Sequence, residues 1–246
     1  MSDRAAAAES RKAKGSRQST DTPRVIAIDG PAAAGKSTVG RKIGLQLGYP
    51  FLDTGAIYRA MTWAALHRGV DLSDEDTLSD LAASLSIDVG PPAPESIEPS
   101  TIFVDGQDVT RFLRQPEVEA AVSLVSRVAG VRDALVKLQR DLAGRNAVVM
   151  AGRDIGTVVL PNADLKLYLD ASVEERARRR FAELSALGME LTEEEVLRDL
   201  RRRDRIDSER SVSPLRPAED AVVLDTDGLT LEKVVQRLME IVEGSE

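Results

Sequence analysis

The segment that constrains this chain most is Gly30-Pro-Ala-Ala-Ala-Gly-Lys-Ser37, which has the form G-x-x-x-x-G-K-S. It directly follows the apolar run Val25-Ile-Ala-Ile28 and directly precedes a stretch with helical periodicity. A strand, a glycine-rich turn and a helix in this order surround an anion with backbone N–H groups and the positive end of a helix. The segment therefore predicts a loop that binds nucleotide phosphates, with the following members: Gly30, Pro31, Ala32, Ala33, Ala34, Gly35, Lys36, Ser37 and Thr38.

Two side chains of this loop have predicted roles of their own. We expect Lys36 to bridge the β and γ phosphates and the Ser37 hydroxyl to be a Mg²⁺ ligand, directly or through water. The small residues between the two glycines keep side chains away from the anion.

The rest of the chain alternates short aliphatic runs with longer amphipathic stretches, which indicates a parallel sheet covered by helices. Strands are predicted at residues 24–29, 49–52, 147–150, 165–169 and 221–224. Helices are predicted at residues 36–47, 56–68, 74–84, 116–128, 132–143, 173–187, 193–210 and 231–242. The predicted fold is a three-layer α/β/α P-loop NTPase with a parallel five-stranded sheet.

A tail, an insert and two helix starts complete the predicted organisation. Residues 1–22 carry no large apolar residue beyond Met1 and are expected to form a disordered polar tail before a single domain at 23–246. Residues 86–114 contain a proline-rich link and the turn Asp105-Gly106, which predicts a small antiparallel insert. Ser172 and Thr192 each precede a glutamate by three positions, the pattern of a capping box that begins a helix.

Composition excludes several classes of protein. The 33 Lys and Arg against 41 Asp and Glu give a net charge of −8, which argues against an extended nucleic-acid-binding face. The absence of Cys excludes disulfides and thiolate-bound metals, and with His67 as the single histidine a His-rich metal site is impossible. No apolar run is long enough to cross a membrane, and no hydrophobic secretory signal is found. We expect a cytoplasmic protein with no membrane or nucleic-acid partner.

A phosphate-binding loop identifies a nucleotide but not a reaction, so three classes are possible: a GTPase, a motor or regulatory ATPase, and a small-molecule kinase. The guanine-reading element N/T-K-x-D is absent, and Asp225-Thr-Asp-Gly228 lies too far along the chain to serve a GTPase. We interpret it as a turn at a strand end.

Three segments rich in Arg and Asp favour a kinase. The first is Leu52-Asp-Thr-Gly-Ala-Ile-Tyr-Arg59, and the second places Arg153 and Asp154 at the carboxyl end of a predicted strand, where open α/β sheets bind ligands. In the third, Arg203, Asp207 and Arg210 follow at i, i+4 and i+7, which places them on one helix face.

Together these segments resemble the bacterial cytidylate kinases, P-loop enzymes that transfer a phosphoryl group from ATP to CMP or dCMP. The resemblance is carried by Ile26 to Ser37, the Leu52 to Arg59 segment, Val131-Arg-Asp-Ala-Leu135, Gly152-Arg-Asp-Ile-Gly-Thr157 and Asp204 to Leu215. It extends over nearly the whole chain from Arg24, and it implies an acceptor-binding arm at about 54–130, which includes the insert, and a helical lid at about 172–210.

The resemblance also implies residue roles. Thr54, Arg59, Arg153 and Arg210 would hold the CMP phosphate; Ser123, Arg132 and Asp154 would read the cytosine; and Arg203 and Asp207 would contact the ribose and neighbouring groups. Family members often have Ser where this chain has Thr54, and Gly or Ser where it has Ala33 and Ala34. We expect these differences to affect the rate more than the identity of the reaction.

Phosphoryl transfer needs cations more than a general base, because two anions must approach each other. The predicted catalytic cations are Lys36, Arg59, Arg153, Arg210 and one lid arginine, with Arg176, Arg179 and Arg180 as candidates and Arg180 preferred. The expected cofactor is Mg²⁺, the expected substrates are ATP and CMP or dCMP, and the expected state is a monomer. Two alternatives stay open here: a kinase for another acceptor, and a nucleotide-binding switch without an acceptor.

Overall fold

The computed structural model describes residues 22–93, 98–144, 147–186 and 188–244. Residues 1–21, which make up most of the predicted polar tail, lie outside the described residues, as do Pro94 of the proline-rich link and Leu187, the last residue of a predicted helix. None of the helices described is both long and apolar enough to span a bilayer.

The main sheet has five strands in the order β2-β6-β1-β7-β8, and every neighbouring pair is parallel. Its strands are β1 (Val25–Asp29), β2 (Phe51–Asp53), β6 (Val148–Ala151), β7 (Leu165–Asp170) and β8 (Val222–Asp225). The predicted five-stranded parallel sheet is confirmed, with strand ends displaced by two residues at most. Because β1, β2 and β6 are neighbours, the segments that follow them meet at one edge of the sheet.

Over the residues that the structure describes, eight α-helices connect and cover these strands. They are α1 (Lys36–Leu47), α2 (Thr54–His67), α3 (Glu75–Ser84), α4 (Pro116–Val125), α5 (Ala129–Ala143), α6 (Val173–Ala186), α7 (Glu193–Glu209) and α8 (Leu231–Val242). The strand β1 packs into both main cores, since Ala27 faces the cluster around α2 and α5 while Ile26 and Ile28 face the cluster around α1 and α8. A third, smaller cluster joins Ala32 of the loop to Ala177, Val196 and Leu200 of α6 and α7.

Three helix boundaries differ from the prediction by two residues or more. Helix α2 begins at Thr54 instead of residue 56, because the Asp53 side chain accepts the Gly55 N–H and caps it. The predicted helix at residues 116–128 ends at Val125, and α5 already begins at Ala129, since Val128 adopts an extended conformation (ψ 124°) between them. Ser126 lies at this break, outside both helices, and its carbonyl accepts a hydrogen bond from Arg132.

The insert is confirmed as a three-stranded antiparallel sheet of β3 (Ile87–Gly90), β4 (Thr101–Val104) and β5 (Gln107–Asp108). Asp105 and Gly106 both have positive φ values (49° and 79°), the conformation of a tight two-residue hairpin turn. This sheet packs on α2, whose Trp63 is buried in the same core.

One capping box is complete and the other is not. Thr192 and Glu195 exchange both hydrogen bonds at the start of α7. Ser172 accepts the Glu175 N–H, but Glu175 bonds to Arg178 and Arg179, and Asp227 accepts the Ser172 N–H. The predicted reciprocal bond at Ser172 is therefore wrong, because arginines of the next turn compete for the same carboxylate.

Candidate active site

The loop between β1 and α1 has the backbone that its sequence predicts. Gly30 has a φ of 146°, and a Cβ atom there would lie 2.1 Å from the Leu169 carbonyl oxygen, so only glycine fits. Ala33 has a φ of 60°, a left-handed conformation that an alanine adopts only under strain. The Lys36 ammonium is buried and donates to the Pro31 carbonyl at 2.6 Å. Burial, aided by the charge of Arg153, lowers the pKa of Lys36 well below its ordinary value.

A cavity of about 500 Å³ lies in front of this loop. Every predicted site residue except Gly30, Pro31 and the lid candidate Arg176 lines it, which brings together segments from the loop, α2, α4, α5, the end of β6, α6 and α7. The cavity has the size of a small-ligand site. Nine of its described lining residues are basic and five are acidic, so the wall carries a net charge of about four positive units.

Asp53 and Arg59 stand beside the loop at the start of α2. Ser37 Oγ donates to Asp53 Oδ2 at 3.0 Å, and Arg59 Nη2 lies 3.5 Å from the same oxygen. Burial alone would raise the pKa of Asp53, but Arg59 and its neighbours outweigh burial and hold it below its usual value. Thr54 Oγ1 donates to the Ala151 carbonyl at 2.9 Å, which leaves the hydroxyl oxygen free to accept.

Arg132 and Asp154 form a buried ion pair on another wall of the cavity. Arg132 Nη1 also donates to the Ser126 carbonyl at 3.2 Å, and Arg210 Nη2 lies 3.7 Å from Asp154 Oδ1. Ser123 is buried on the same cavity wall. A carboxylate and a guanidinium side by side present an acceptor and a donor to any ligand that carries the complementary pair.

Arg153 and Asp154 are neighbours in sequence, but their side chains separate. Arg153 Nε donates to Asp207 Oδ2 of α7 at 3.0 Å, while Asp154 pairs with Arg132. Helix α7 ends at Glu209, and Arg210 is extended, with its Nε donating to the Ser213 carbonyl. The predicted helix face is therefore correct for Arg203 and Asp207, whereas Arg210 reaches the cavity from the loop after the helix.

The three lid arginines are placed differently. Arg179 lines the cavity and donates to the Thr226 carbonyl at 2.6 Å, close to the apolar lining residues Leu229 and Leu231. Arg180 also lines the cavity, and its Nη1 lies 2.8 Å from Glu183 Oε2.

Arg176 is buried and is not among the residues that line the cavity. It donates to the Ala171 carbonyl, to the Ala32 carbonyl of the loop and to Asp204 of α7 at 3.0, 3.1 and 2.7 Å. It therefore connects the loop to helices α6 and α7.

Five charged residues at or near the site were not predicted from the sequence: Asp29, Asp53, Arg114, Glu119 and Glu183. Asp29 accepts the Ile155 and Gly156 N–H groups, each at 2.7 Å, and so anchors an unpredicted π-helical turn at Ile155–Val159 behind Arg153 and Asp154. Glu119 Oε2 lies 2.8 Å from Arg203 Nη1, and Glu119 Oε1 lies 3.9 Å from both Arg59 Nε and Arg114 Nη1. Asp53 could have been recognised from the sequence as a helix N-cap, because it directly precedes Thr54 and Gly55. Nothing in the sequence distinguishes Arg114 or Glu119 from the other charged residues.

The donor set at the loop fits a metal ion that is bound mainly by phosphate. Within the described part of the chain, no group of three or more His, Cys, Asp or Glu side chains could hold a metal ion. The Ser37 hydroxyl and the Asp53 carboxylate it contacts are hard oxygen donors, the type that Mg²⁺ prefers, and Mg²⁺ normally takes few protein ligands beside phosphate and water.

Comparison with known proteins places this chain in a family. The profile of the family described as Cytidylate kinase matches residues 26–244. Cytidylate kinase from Geobacillus sp. (strain WCH70) is 52% identical over 217 residues, 88% of this chain and 95% of that protein. Cytidylate kinase from Pelotomaculum thermopropionicum is 50% identical over 214 residues, 87% of this chain and 93% of that protein. With this identity along nearly its full length, and with the phosphate-binding loop and the arginine-lined cavity in place, the chain belongs to the cytidylate kinase family.

Proposed function

We propose that this chain transfers the γ-phosphoryl group of ATP to CMP or dCMP and releases ADP and CDP or dCDP. The observation that carries the proposal is one cavity in which Lys36 of the loop faces the guanidinium groups of Arg59, Arg153 and Arg210. Those arginines come from three distant segments, and a shared cavity is what two anionic substrates require. The relatives that share about half of its residues are named cytidylate kinases.

The loop and lid form the donor site in this proposal. The backbone N–H groups from Ala32 to Thr38 hold the ATP phosphates, and Lys36 bridges the β and γ groups. Arg179 and the apolar side chains of Leu229 and Leu231 border the same cavity and would enclose the adenine ring. Mg²⁺ held by the phosphates and Ser37, directly or through water, would neutralise charge on the transferred group.

The acceptor site is formed by the opposite walls. Thr54, Arg59, Arg153 and Arg210 hold the CMP phosphate, and Arg203 and Asp207 contact the ribose and neighbouring groups. With Ser123, the Arg132–Asp154 pair reads the base: Asp154 accepts from the cytosine N4 amine while Arg132 donates to N3 or O2.

These residues account for the preference for cytosine over uracil and for the charge balance between the substrates and the cavity wall. Uracil would turn its O4 acceptor toward Asp154 and be rejected. At neutral pH, CMP and MgATP each carry about two negative charges, so together they balance the net charge of about +4 on the cavity wall.

The reaction needs little proton transfer, because the acceptor phosphate is already largely a dianion at neutral pH. The residues act by positioning and by stabilising charge: Lys36, Arg59, Arg153, Arg210 and Arg180 surround the oxygens of the transferring group. Closure of the α6–α7 lid would exclude the water that otherwise hydrolyses ATP. Action as a monomer in the cytoplasm, without a nucleic-acid partner, stays a prediction from the sequence.

A panel of acceptors at constant ATP tests the proposal. We expect CMP and dCMP to be phosphorylated far better than UMP or AMP in a coupled assay for ADP. Faster turnover of UMP or AMP would reject the assignment in favour of another acceptor.

A substitution separates a kinase from a nucleotide switch. Arg59→Ala should reduce CMP turnover by two or more orders of magnitude while ATP binding, measured by calorimetry, persists. Arg237→Ala, at an exposed position of α8, is the matched control and should be unaffected in both. A wild-type chain that binds ATP but turns over no acceptor would identify a switch.

A further inference from the structure

Beside the pair of Arg132 and Asp154, the structure buries several polar atoms that have no partner. Arg132 Nε, the Tyr58 hydroxyl and both polar atoms of the Gln139 side chain make no hydrogen bond among the described residues. Gln139 is completely buried, and Tyr58 and Arg132 are also buried. A buried polar group without a partner destabilises the folded state, so these side chains indicate a role other than stability.

Tyr58 neighbours both Arg132 and Gln139. Helix α2 places the Tyr58 ring under the guanidinium of Arg132, whose Cζ lies 5.5 Å from the ring centroid. Gln139 follows Arg132 by seven residues on α5, so both lie on the same face of that helix. Burial raises the pKa of the Tyr58 hydroxyl to about 12, and the Gln139 side chain opposes this as a hydrogen-bonding group. The hydroxyl is therefore neutral at physiological pH and lies beside the Gln139 carboxamide.

The guanidinium of Arg132 is held in two different ways. Its Nη1 donates to the Ser126 carbonyl at 3.2 Å, and its Nη2 donates to Asp154 Oδ2. Guanidinium N–H groups lie in the plane of the group, so these two bonds fix its direction within that plane. The Tyr58 ring lies against its face and restrains its tilt out of the plane. The position of the ring therefore affects where the remaining N–H groups of Arg132 point.

We infer that Gln139 is a positioning residue for Arg132: its carboxamide holds the Tyr58 hydroxyl, and the Tyr58 ring in turn holds the guanidinium. The inference rests on the proposed function, in which Arg132 donates to N3 or O2 of cytosine. The N3 atom of cytosine is an acceptor, whereas N3 of uracil carries a hydrogen, so a correctly directed arginine favours cytosine. An arginine that tilts more freely distinguishes CMP from UMP less sharply.

Tyr58→Phe and Gln139→Met, singly and together, test the inference. Phenylalanine keeps the ring and loses the hydroxyl, while methionine keeps the length of glutamine and loses the carboxamide, so both variants should fold. Steady-state kinetics at saturating ATP gives kcat/KM for CMP and for UMP. Each single variant should lower the CMP-to-UMP ratio about fivefold, through a higher KM for CMP with kcat nearly unchanged. The double variant should lose no more than either single variant, because both act through one contact.

Tyr49→Phe and Gln236→Met make the same chemical changes at positions that do not line the cavity, and they should leave the ratio unchanged. An effect of Tyr58→Phe without an effect of Gln139→Met would mean that the hydroxyl contacts the base itself, which overturns the inference. Unchanged ratios, equal losses for CMP and UMP, or losses that multiply in the double variant would overturn it as well.

The wild type is measured in the same assay, so two failures can be distinguished. A wild type that does not prefer CMP over UMP would refute the proposed function. A preference that is present in the wild type and kept by both single variants would refute only the role of Gln139.

Discussion

Asp29 gives the sharpest test of how the site is held together. Its side chain is 3% exposed, and its two carboxylate oxygens accept the Ile155 and Gly156 N–H groups at 2.7 Å. Burial is the largest influence and raises its pKa to about 6, although both hydrogen bonds oppose this. Asp29→Asn keeps the shape of the side chain, removes its charge and leaves only one oxygen to accept two N–H groups.

The raised pKa fixes the sign of the effect on stability. A carboxyl group whose pKa is higher in the folded protein than in the unfolded chain favours folding when protonated, and this contribution is lost as pH rises from about 4 to about 6. The increase of about two pKa units from 3.8 corresponds to about 3 kcal/mol of unfolding free energy in total. Between about pH 4.5 and about pH 7.5, the change is about 2 kcal/mol by the same linkage.

Urea denaturation of wild type and Asp29→Asn over this pH range measures the difference directly, because all other titrating groups are common to both proteins. The variant should gain about 2 kcal/mol relative to wild type as pH rises, and yet have a lower kcat, since the turn behind Arg153 and Asp154 loses one anchor. Asp133→Asn, at an exposed position of α5, should show no such trend. A difference in unfolding free energy that does not vary with pH would refute the reasoning.

Three further substitutions test other parts of the site. Asp154→Asn should reduce the ratio of kcat/KM for CMP over UMP by about tenfold or more, and an unchanged ratio would exclude this residue from base reading. Arg176→Ala breaks the tie to the Ala32 carbonyl, so the KM for ATP should rise about tenfold while the KM for CMP is unchanged; a parallel rise in both would contradict this. Thr192→Ala removes the capping box of α7 and should cost about 1 kcal/mol in urea denaturation, against no change for an exposed substitution elsewhere on the same helix such as Arg205→Ala.

The sheet could be predicted from the sequence because each strand is a short apolar run with clear boundaries. Strands buried on both faces carry no alternating pattern, and the runs before Gly30 and Gly152 are of this kind. The break between α4 and α5 could not be predicted in the same way. Apolar periodicity continues through Val125 and Val128, and the helix ends only because the chain turns there to place the Ser126 carbonyl against Arg132.

Apart from Arg114, the cations of the site were predictable, and their pairing with particular carboxylates was not. The arginines stand in short recognisable segments, but the carboxylates that pair with them come from distant parts of the chain: Arg203 and Glu119 are separated by 84 residues, and Arg153 and Asp207 by 54. Sequence spacing reports only neighbours on one helix or strand, so such pairs need the fold. The π-helical turn is equally hidden, because its anchor, Asp29, lies 126 residues before it.

These pairs change how substrate binding must work. Arg59, Arg153 and Arg203 each face a carboxylate within 4 Å, so the cost of burying their charge is already offset before a nucleotide arrives. A phosphate that binds there competes with Asp207 or Glu119 for the same guanidinium donors. The affinity for the substrate is therefore the difference between the arginine–phosphate interaction that forms and the arginine–carboxylate interaction that is weakened. Because Asp207 and Arg203 belong to α7 while Arg153 and Glu119 lie outside α6 and α7, weakening these pairs also changes the contacts that hold α7. We therefore expect binding of the acceptor to be coupled to the position of α7 through these ion pairs.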